Sequence, residues 1–208
     1  MSDSKQASPL PRKLHLGSGK NFLTDSLNID ISGFWQPDIV ADLGKPFPPD
    51  PEHVYETERF GPVQLRRNSF EEIKADDFLE HIPDLPTCMK SALDLLLPGG
   101  VFKISVPYEL SLGAWSDPTH VRAFNERSWV YYCEWSWYFG WEEFRFQIDK
   151  LHFIPSPYGQ TLKNEGKQLD ELLRTPRAVD SMYVELVKVP LTDEDRQMLE
   201  QHRSRPES

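Results

Sequence analysis

The sequence predicts an α/β fold, with a mostly parallel β-sheet, helices on both faces, and a late antiparallel strand at the edge of the sheet. Strand-like segments alternate with loop or helical segments over the first two-thirds of the chain, and parallel strands need such crossovers. The last third is different, because it is rich in aromatic residues and ends in an alternating segment, 183–189. A late strand of this kind typically pairs antiparallel at a sheet edge.

Five segments of the first two-thirds have the apolar pattern of strands, and they are 13–16, 26–31, 37–43, 69–75 and 101–106. The segment between the fourth and fifth strands predicts a helix. Asp84 can cap it, Pro86 suits its first turn, and apolar residues from Leu85 to Leu97 follow helical spacing. Pro98-Gly99-Gly100 ends it. The four prolines of residues 44–51 predict an irregular loop.

Residues 115–158 contain 14 of the 25 aromatic residues of the chain. Two segments within them, 144–148 and 151–154, have the composition of strands. Most of these rings are expected to pack as a cap over the sheet edge. The remaining rings would line an acceptor pocket, or form an exposed surface for a second copy of the chain or a lipid-linked substrate.

The composition excludes several classes of protein. Lys and Arg number 23 against 33 Asp and Glu, a net charge of −10, which disfavours nucleic acid and anionic membranes as partners. The apolar stretches are far shorter than the roughly 20 residues that span a bilayer. Cys88 and Cys133 lack the spacing of a disulfide framework or a zinc cage. These features predict a cytoplasmic protein.

The chain is expected to form one domain over residues 13–191, because 208 residues suit a single domain. Residues 1–12 are polar and end in prolines, which predicts a disordered leader. Residues 192–208 are highly charged and predict a tail with a short surface helix, capped by Thr192.

A glycine-rich turn, Gly17-Ser18-Gly19, directly follows the first strand. In an open α/β sheet the ligand lies beyond the carboxyl ends of the strands. Glycine at that place allows a positive φ and a close approach of the backbone to a ligand. Ordinary turns also use glycine, so this turn alone does not establish a ligand site.

Acidic residues at the next two strand tips support a nucleoside ligand. Asp30 ends the second strand, where a carboxylate accepts hydrogen bonds from the two hydroxyls of a ribose. Asp42, at the end of the third strand, can accept from the amino group of adenine, while Leu43 packs against the purine. A helix cap or a solvated strand end is the alternative for either acid alone.

The features that bind a pyrophosphate are missing. Lys20 and Asn21 follow the second glycine of the turn, so the third glycine of a dinucleotide fingerprint is absent, and the crossover from Lys20 to Asp25 is too short for a full helix. A pyrophosphate binds at the N-terminus of such a helix. A nucleoside that carries a zwitterionic amino acid instead of phosphates is S-adenosylmethionine.

The motifs LHLGSG, LNIDI, DIVADL, ADDFLEHI and LLLPGGVFKISVP follow one another over about residues 13–107. In this order they resemble class I S-adenosylmethionine-dependent methyltransferases, which implies a Rossmann-like sheet and methyl transfer. Residues 117–124, DPTHVRAF, and the small size of the chain resemble a compact subgroup found among proteins of cell-surface polysaccharide biosynthesis. That second resemblance implies a saccharide or glycan precursor as the small-molecule acceptor.

The resemblance implies roles for the first two strand tips. Gly17, Ser18 and Gly19 would lie against the methionine part of the cofactor. Asp30 would hold the ribose hydroxyls, and Ile31 would lie against the adenine.

It also implies roles for the following tips. Asp42 and Leu43 would contact the adenine. Asp76 and Asp77 would border the amino acid and the sulfonium, and Glu80 and His81 would begin the next helix beside the site.

His120, in a loop after the fifth strand, is the predicted general base for a hydroxyl acceptor, and Asp117 is predicted to orient its ring. A structural role, in which His120 fixes the loop through a backbone hydrogen bond, is the alternative. No metal site is predicted, because methyl transfer from a sulfonium does not need a metal.

Two other functions are compatible with the pattern. A nicotinamide-dependent oxidoreductase could use a related sheet, although the missing third glycine speaks against it. The second alternative is a non-catalytic protein that binds S-adenosylmethionine or acts through its aromatic face. A homodimer is compatible with each of the three functions.

Overall fold

The structure is a computed structural model that describes residues 9–204. Its strands are β1 (Lys13–Leu16), β2 (Leu27–Asp30), β3 (Ile39–Val40), β4 (Val54–Thr57), β5 (Gly61–Gln64), β6 (Phe70–Asp76), β7 (Leu96–Pro107), β8 (Phe144–Pro155) and β9 (Val179–Pro190). Within this range they form a seven-stranded sheet, in the order β3-β2-β1-β6-β7-β9-β8, and a separate hairpin of β4 and β5.

The mostly parallel sheet with a late antiparallel edge is confirmed. Strands β3, β2, β1, β6 and β7 run parallel, whereas β9 pairs antiparallel with β7 and β8 pairs antiparallel with β9. The late strand β9 lies inside the sheet, and β8 forms the edge. The strand composition of 144–148 and 151–154 is confirmed, and both segments belong to one strand, β8, whose register shifts between Ile148 and Lys150.

The helices are α1 (Leu85–Leu95), α2 (Gly113–Ser116), α3 (Val130–Cys133), α4 (Pro157–Asn164), α5 (Leu169–Arg174) and α6 (Asp193–Arg203). The predicted start of α1 is confirmed, since Asp84 accepts a hydrogen bond from the backbone N–H of Thr87. The crossovers from β1 to β2 and from β2 to β3 contain no α-helix and only a 3₁₀ turn over Gly33–Trp35. None of the helices described is long and apolar enough to cross a membrane.

The third strand is shorter than the predicted 37–43. Asp38 lies just before the strand, and its side chain is held by other groups. Its carboxylate accepts from the backbone N–H of Asn28 and pairs with Arg59 at 2.7 Å. After the strand, Asp42 accepts from the backbone N–H of Gly44 and turns the chain. Only Ile39–Val40 are left to pair with β2.

The ends of the chain are described only in part. Of the predicted leader, residues 1–8 lie outside the described range, and the same holds for residues 205–208 of the predicted tail. The rest of the tail forms α6, with the predicted Thr192 cap. This helix packs against the 3₁₀ turn over Ser136–Phe139, where His202 contacts Trp137 and Tyr138. It is tied to β8 by the ion pair of Asp195 with Arg145 at 2.8 Å.

Candidate active site

The carboxyl ends of the parallel strands meet at one edge of the sheet. The loops that leave this edge follow β1, β2, β3, β6 and β7, so the chain brings five separate segments together there. In an open α/β sheet this edge is the expected ligand site. Nearly every residue singled out in the sequence analysis belongs to one of these loops.

Gly17 and Gly19 of the first loop are both left-handed, but their surroundings differ. Gly17 has φ +63°, and a Cβ added to it would lie 2.2 Å from Cδ2 of Phe78. Gly19 has φ +44°, and an added Cβ would meet no atom within 4 Å. The first glycine therefore packs against the loop after β6, and the second has open space on its outer side.

Asp30 ties the first two loops together. Its Oδ2 accepts from the backbone N–H of Gly19 and its Oδ1 from that of Ser32, both at 2.8 Å. A carboxylate has about four acceptor positions, so each oxygen retains one. The next residue, Ile31, is 70% exposed and gives the strand tip an apolar surface.

Two of the predicted cofactor contacts are turned inward. Leu43 is 5% exposed and belongs to the main core, so it has little surface left for an adenine. Ser18 is 2% exposed, and its hydroxyl oxygen is buried without a hydrogen-bond partner. Its neighbours in the site, Gly17 and Gly19, are only half-buried.

The remaining strand-tip acids are accessible to different degrees. Asp42 is exposed, and its hydrogen bond with Lys45 is the main cause that lowers the pKa of its carboxyl. Asp76 is half-buried and pairs with Lys74 at 2.6 Å. Asp77 is exposed, and its φ of +46° is unusual for a residue other than glycine.

The loop after β6 is bonded to the loop after β7. The backbone N–H of Val121 donates to the carbonyl of Glu80 at 2.9 Å. Arg122 donates from Nη2 to the carbonyls of Ile82 and Pro83 at 2.7 and 2.6 Å. These bonds hold residues 117–124 against the turn that contains Glu80 and His81.

His81 is held by a short chain of hydrogen bonds. Thr119 donates its hydroxyl to Asp117 at 2.6 Å, so its oxygen accepts from Nδ1 of His81 at 2.9 Å. Asp117 also accepts from the backbone N–H of Thr119 at 2.8 Å. Asp117 therefore orients His81, through Thr119.

His120 is oriented by the backbone, and the predicted contact with Asp117 was wrong in this respect. Both hydrogen bonds of the Asp117 carboxylate go to Thr119, whereas Nδ1 of His120 donates to the carbonyl of Ala114 at 2.9 Å. The ring is edge-on to that of His81, with 4.7 Å between their centroids. Its Nε2 lies 4.0 Å from Oε1 of Glu80.

Glu80, which the resemblance places beside the site without a chemical role, is a candidate site residue. Its side chain is 1% exposed, and both carboxylate oxygens lack a hydrogen-bond partner. Burial raises the pKa of this carboxyl to about 7. Its place beside His81 in the motif ADDFLEHI was the available signal, but a buried carboxylate that faces a second histidine is visible only in the fold.

The aromatic segment is divided between the two edges of the sheet. Trp115 is 64% exposed and follows Ala114, whose carbonyl holds His120. Phe144 pairs with Pro190 at the end of β9, which is the edge where the parallel strands begin. The rings just before Phe144 therefore lie away from the strand tips, whereas Trp115 lies in the loop that leaves them.

No family model and no curated protein matches this chain. Many solved structures resemble it, among them the following three. An S-adenosylmethionine-dependent methyltransferase from Mesorhizobium loti is 16% identical, with 88% of this chain and 93% of that chain covered and a TM-score of 0.52. A methyltransferase of the same kind from Archaeoglobus fulgidus is also 16% identical, with 86% of each chain covered and a TM-score of 0.53.

The third is the cyclase SpnF, which is 13% identical, with 88% of this chain and 76% of that chain covered and a TM-score of 0.53. Identities this low establish the fold and leave the reaction open. The strand order and these similarities together show that this chain has the class I fold of S-adenosylmethionine-dependent methyltransferases.

Proposed function

We propose that this protein is an S-adenosylmethionine-dependent methyltransferase, and that its acceptor is a hydroxyl group of a small saccharide or glycan precursor. The observation that carries the proposal is Asp30, held by two backbone N–H groups at the tip of β2 beside the exposed Ile31. Because a cyclase shares the fold, the site and not the fold has to support the function.

The residues at the first three strand tips fit this cofactor. The remaining acceptor positions of Asp30 suit the two hydroxyls of a ribose. Ile31 offers an apolar surface for the adenine, and the exposed Asp42 suits its amino group. The open side of Gly19 is a cradle that a side chain would fill.

When bound, S-adenosylmethionine supplies an electrophilic methyl group on a sulfonium. The chain has to hold an acceptor oxygen about 3 Å from that methyl group and in line with it. His120 is suited to remove the proton of the acceptor. Because its Nδ1 donates to the carbonyl of Ala114, the neutral ring carries its proton on Nδ1 and has its lone pair on Nε2. The exposed ring of Trp115 offers a wall for the acceptor.

Calorimetry with S-adenosylhomocysteine, the demethylated product, tests the cofactor, with NAD as the comparison. We expect binding of the sulfur nucleoside and none of NAD. Binding of NAD instead would favour the oxidoreductase, and binding of neither would contradict the proposal.

Transfer of a radiolabelled methyl group to a panel of sugars and nucleotide sugars tests the acceptor. Label on a hydroxyl supports the proposal. Label found only on nitrogen acceptors would overturn the choice of a hydroxyl, and cofactor binding without transfer to any acceptor would favour the non-catalytic protein. The homodimer and the cytoplasmic location stay predictions.

A further inference from the structure

Three side chains from two separate loops converge beside the proposed acceptor position. Glu80 and His81 follow β6, and His120 follows β7. One carboxylate oxygen and one nitrogen from each ring lie within 4.8 Å of one another. The three atoms can bind one metal ion together, because small side-chain movements would bring each of them to about 2 Å from a common centre.

The hydrogen bonds around the two histidines fix their tautomers. The carbonyl of Ala114 can only accept, so His120 carries its proton on Nδ1. Thr119 gives its hydroxyl proton to Asp117, so it accepts from Nδ1 of His81. In both rings Nε2 is therefore the nitrogen with a free lone pair, and an N–H bonded to a carbonyl or to a hydroxyl–carboxylate pair is the usual support of a metal-binding histidine.

Glu80 supplies an independent observation. It is 1% exposed, and neither oxygen has a hydrogen-bond partner. Burial of a carboxyl group without a partner is costly, and a bound cation removes that cost. The carboxylate lies 4.0 Å from Nε2 of His120, so its unpartnered oxygen faces the same point as the histidine nitrogen.

We propose that Glu80, His81 and His120 form a binding site for a divalent transition-metal ion, for which Zn²⁺ is the probe. Two imidazoles and one carboxylate suit Zn²⁺, whereas Mg²⁺ and Ca²⁺ prefer sites made of oxygen. Three protein ligands also leave a coordination position open, as in catalytic metal sites.

The role of the ion rests on the proposed methyl transfer, whereas its binding does not. The acceptor hydroxyl occupies the open position, which lowers its pKa, and its proton leaves to solvent. The resulting oxygen anion forms the bond to the methyl carbon while the carbon–sulfur bond breaks, and the electron pair stays on sulfur as a neutral thioether. His120 then acts as a ligand in the metal-bound protein and not as the base.

The test uses the full chain, treated with a chelator and then titrated with Zn²⁺. We expect one ion per chain, a raised unfolding temperature, and no competition from an excess of Mg²⁺. X-ray absorption of the zinc-loaded protein is expected to show two imidazoles and an oxygen at about 2.0 Å.

Glu80→Gln and His120→Gln are each expected to lower the affinity for Zn²⁺ at least 100-fold. His152→Gln removes a histidine of β8 outside the cluster and is the matched control, with unchanged affinity. The measurements on the unaltered protein keep the test valid if a variant does not fold.

Titration with S-adenosylhomocysteine separates the two proposals. Binding of the nucleoside without binding of Zn²⁺ would overturn the metal site and leave the methyltransferase. Binding of Zn²⁺ without the nucleoside would overturn the methyltransferase and leave the metal site. Zinc that binds with equal affinity to the unaltered protein and to both cluster variants would also overturn the site.

Discussion

Gly17 and Phe78 are in direct contact, although they belong to loops after different strands: the ring occupies the place that a Cβ on Gly17 would need. The contact joins the loop proposed to hold the cofactor to the loop that contains Glu80 and His81. Because Gly17 also has φ +63°, its position requires glycine for two separate reasons.

Gly17→Ala is expected to lower the free energy of unfolding by roughly 2–4 kcal/mol, through backbone strain and the collision with Phe78. Gly19→Ala is the matched control, since its Cβ has open space, and it is expected to cost about 1 kcal/mol. Denaturant titrations measure both. Equal losses would mean that the contact with Phe78 has little energetic weight.

Asp30→Asn is expected to weaken the binding of S-adenosylhomocysteine roughly 10- to 100-fold, because hydrogen bonds to a charged acceptor are lost. Asp25→Asn is the control. Asp25 pairs with Lys13 at 2.7 Å on exposed side chains before β2 begins, away from the strand tips. Calorimetry decides, and equal affinity of the Asp30 variant and the unaltered protein would remove the main support for the proposed cofactor site.

Thr119→Val is expected to lower the affinity for Zn²⁺ roughly 10- to 100-fold, because the support of His81 is lost while all three ligands remain. Thr119→Ser keeps the hydroxyl and is expected to restore the affinity. Zinc titration followed by competition with a chelator measures the change. A valine variant that binds like the serine variant would show that Thr119 does not position His81.

Lys188 gives a prediction about pH. It is 1% exposed, its ammonium group donates to Asn68 and to the carbonyl of Leu96 at 2.7 and 2.8 Å, and burial lowers its pKa to about 8. Below pH 8 the group is charged in the folded and the unfolded chain. Between about 8 and the ordinary value of 10.5, the unfolded chain binds a proton that the folded chain has lost. Stability from this group therefore rises with pH, by up to about 1.4 kcal/mol per unit.

Lys188→Met removes this dependence. The free energy of unfolding of the unaltered protein, minus that of the variant, is expected to increase between pH 7.5 and 9.5 by roughly 1–2 kcal/mol. Comparison of the two proteins cancels the titration of other groups. Parallel curves would show that Lys188 keeps its ordinary pKa in the fold.

The sequence alone determined the elements whose signals are local. Strands β1, β2 and β6 and the start of helix α1 follow from apolar periodicity and a cap at Asp84, because these signals act within a few residues. The prediction that Pro98-Gly99-Gly100 ends the helix was wrong, because α1 ends at Leu95 and the three residues belong to β7. The order of the strand-tip acids also predicted an edge of the sheet rich in ligand-binding groups. The same signals misjudged β3, where Asp38 is held by Arg59, a residue 21 positions away.

Only the tertiary structure decided what meets at that edge. An apolar residue such as Leu43 fits the sequence pattern equally well whether it is buried or faces a ligand. Packing in the fold places Leu43 in the core. Asp117 could bond to either histidine until the loop after β7 docked on Glu80 and Ile82. The pairing of Glu80 with His120 across 40 positions depends on the crossover from β6 to β7, which returns the chain to the same edge, and no local pattern records such a distance in sequence.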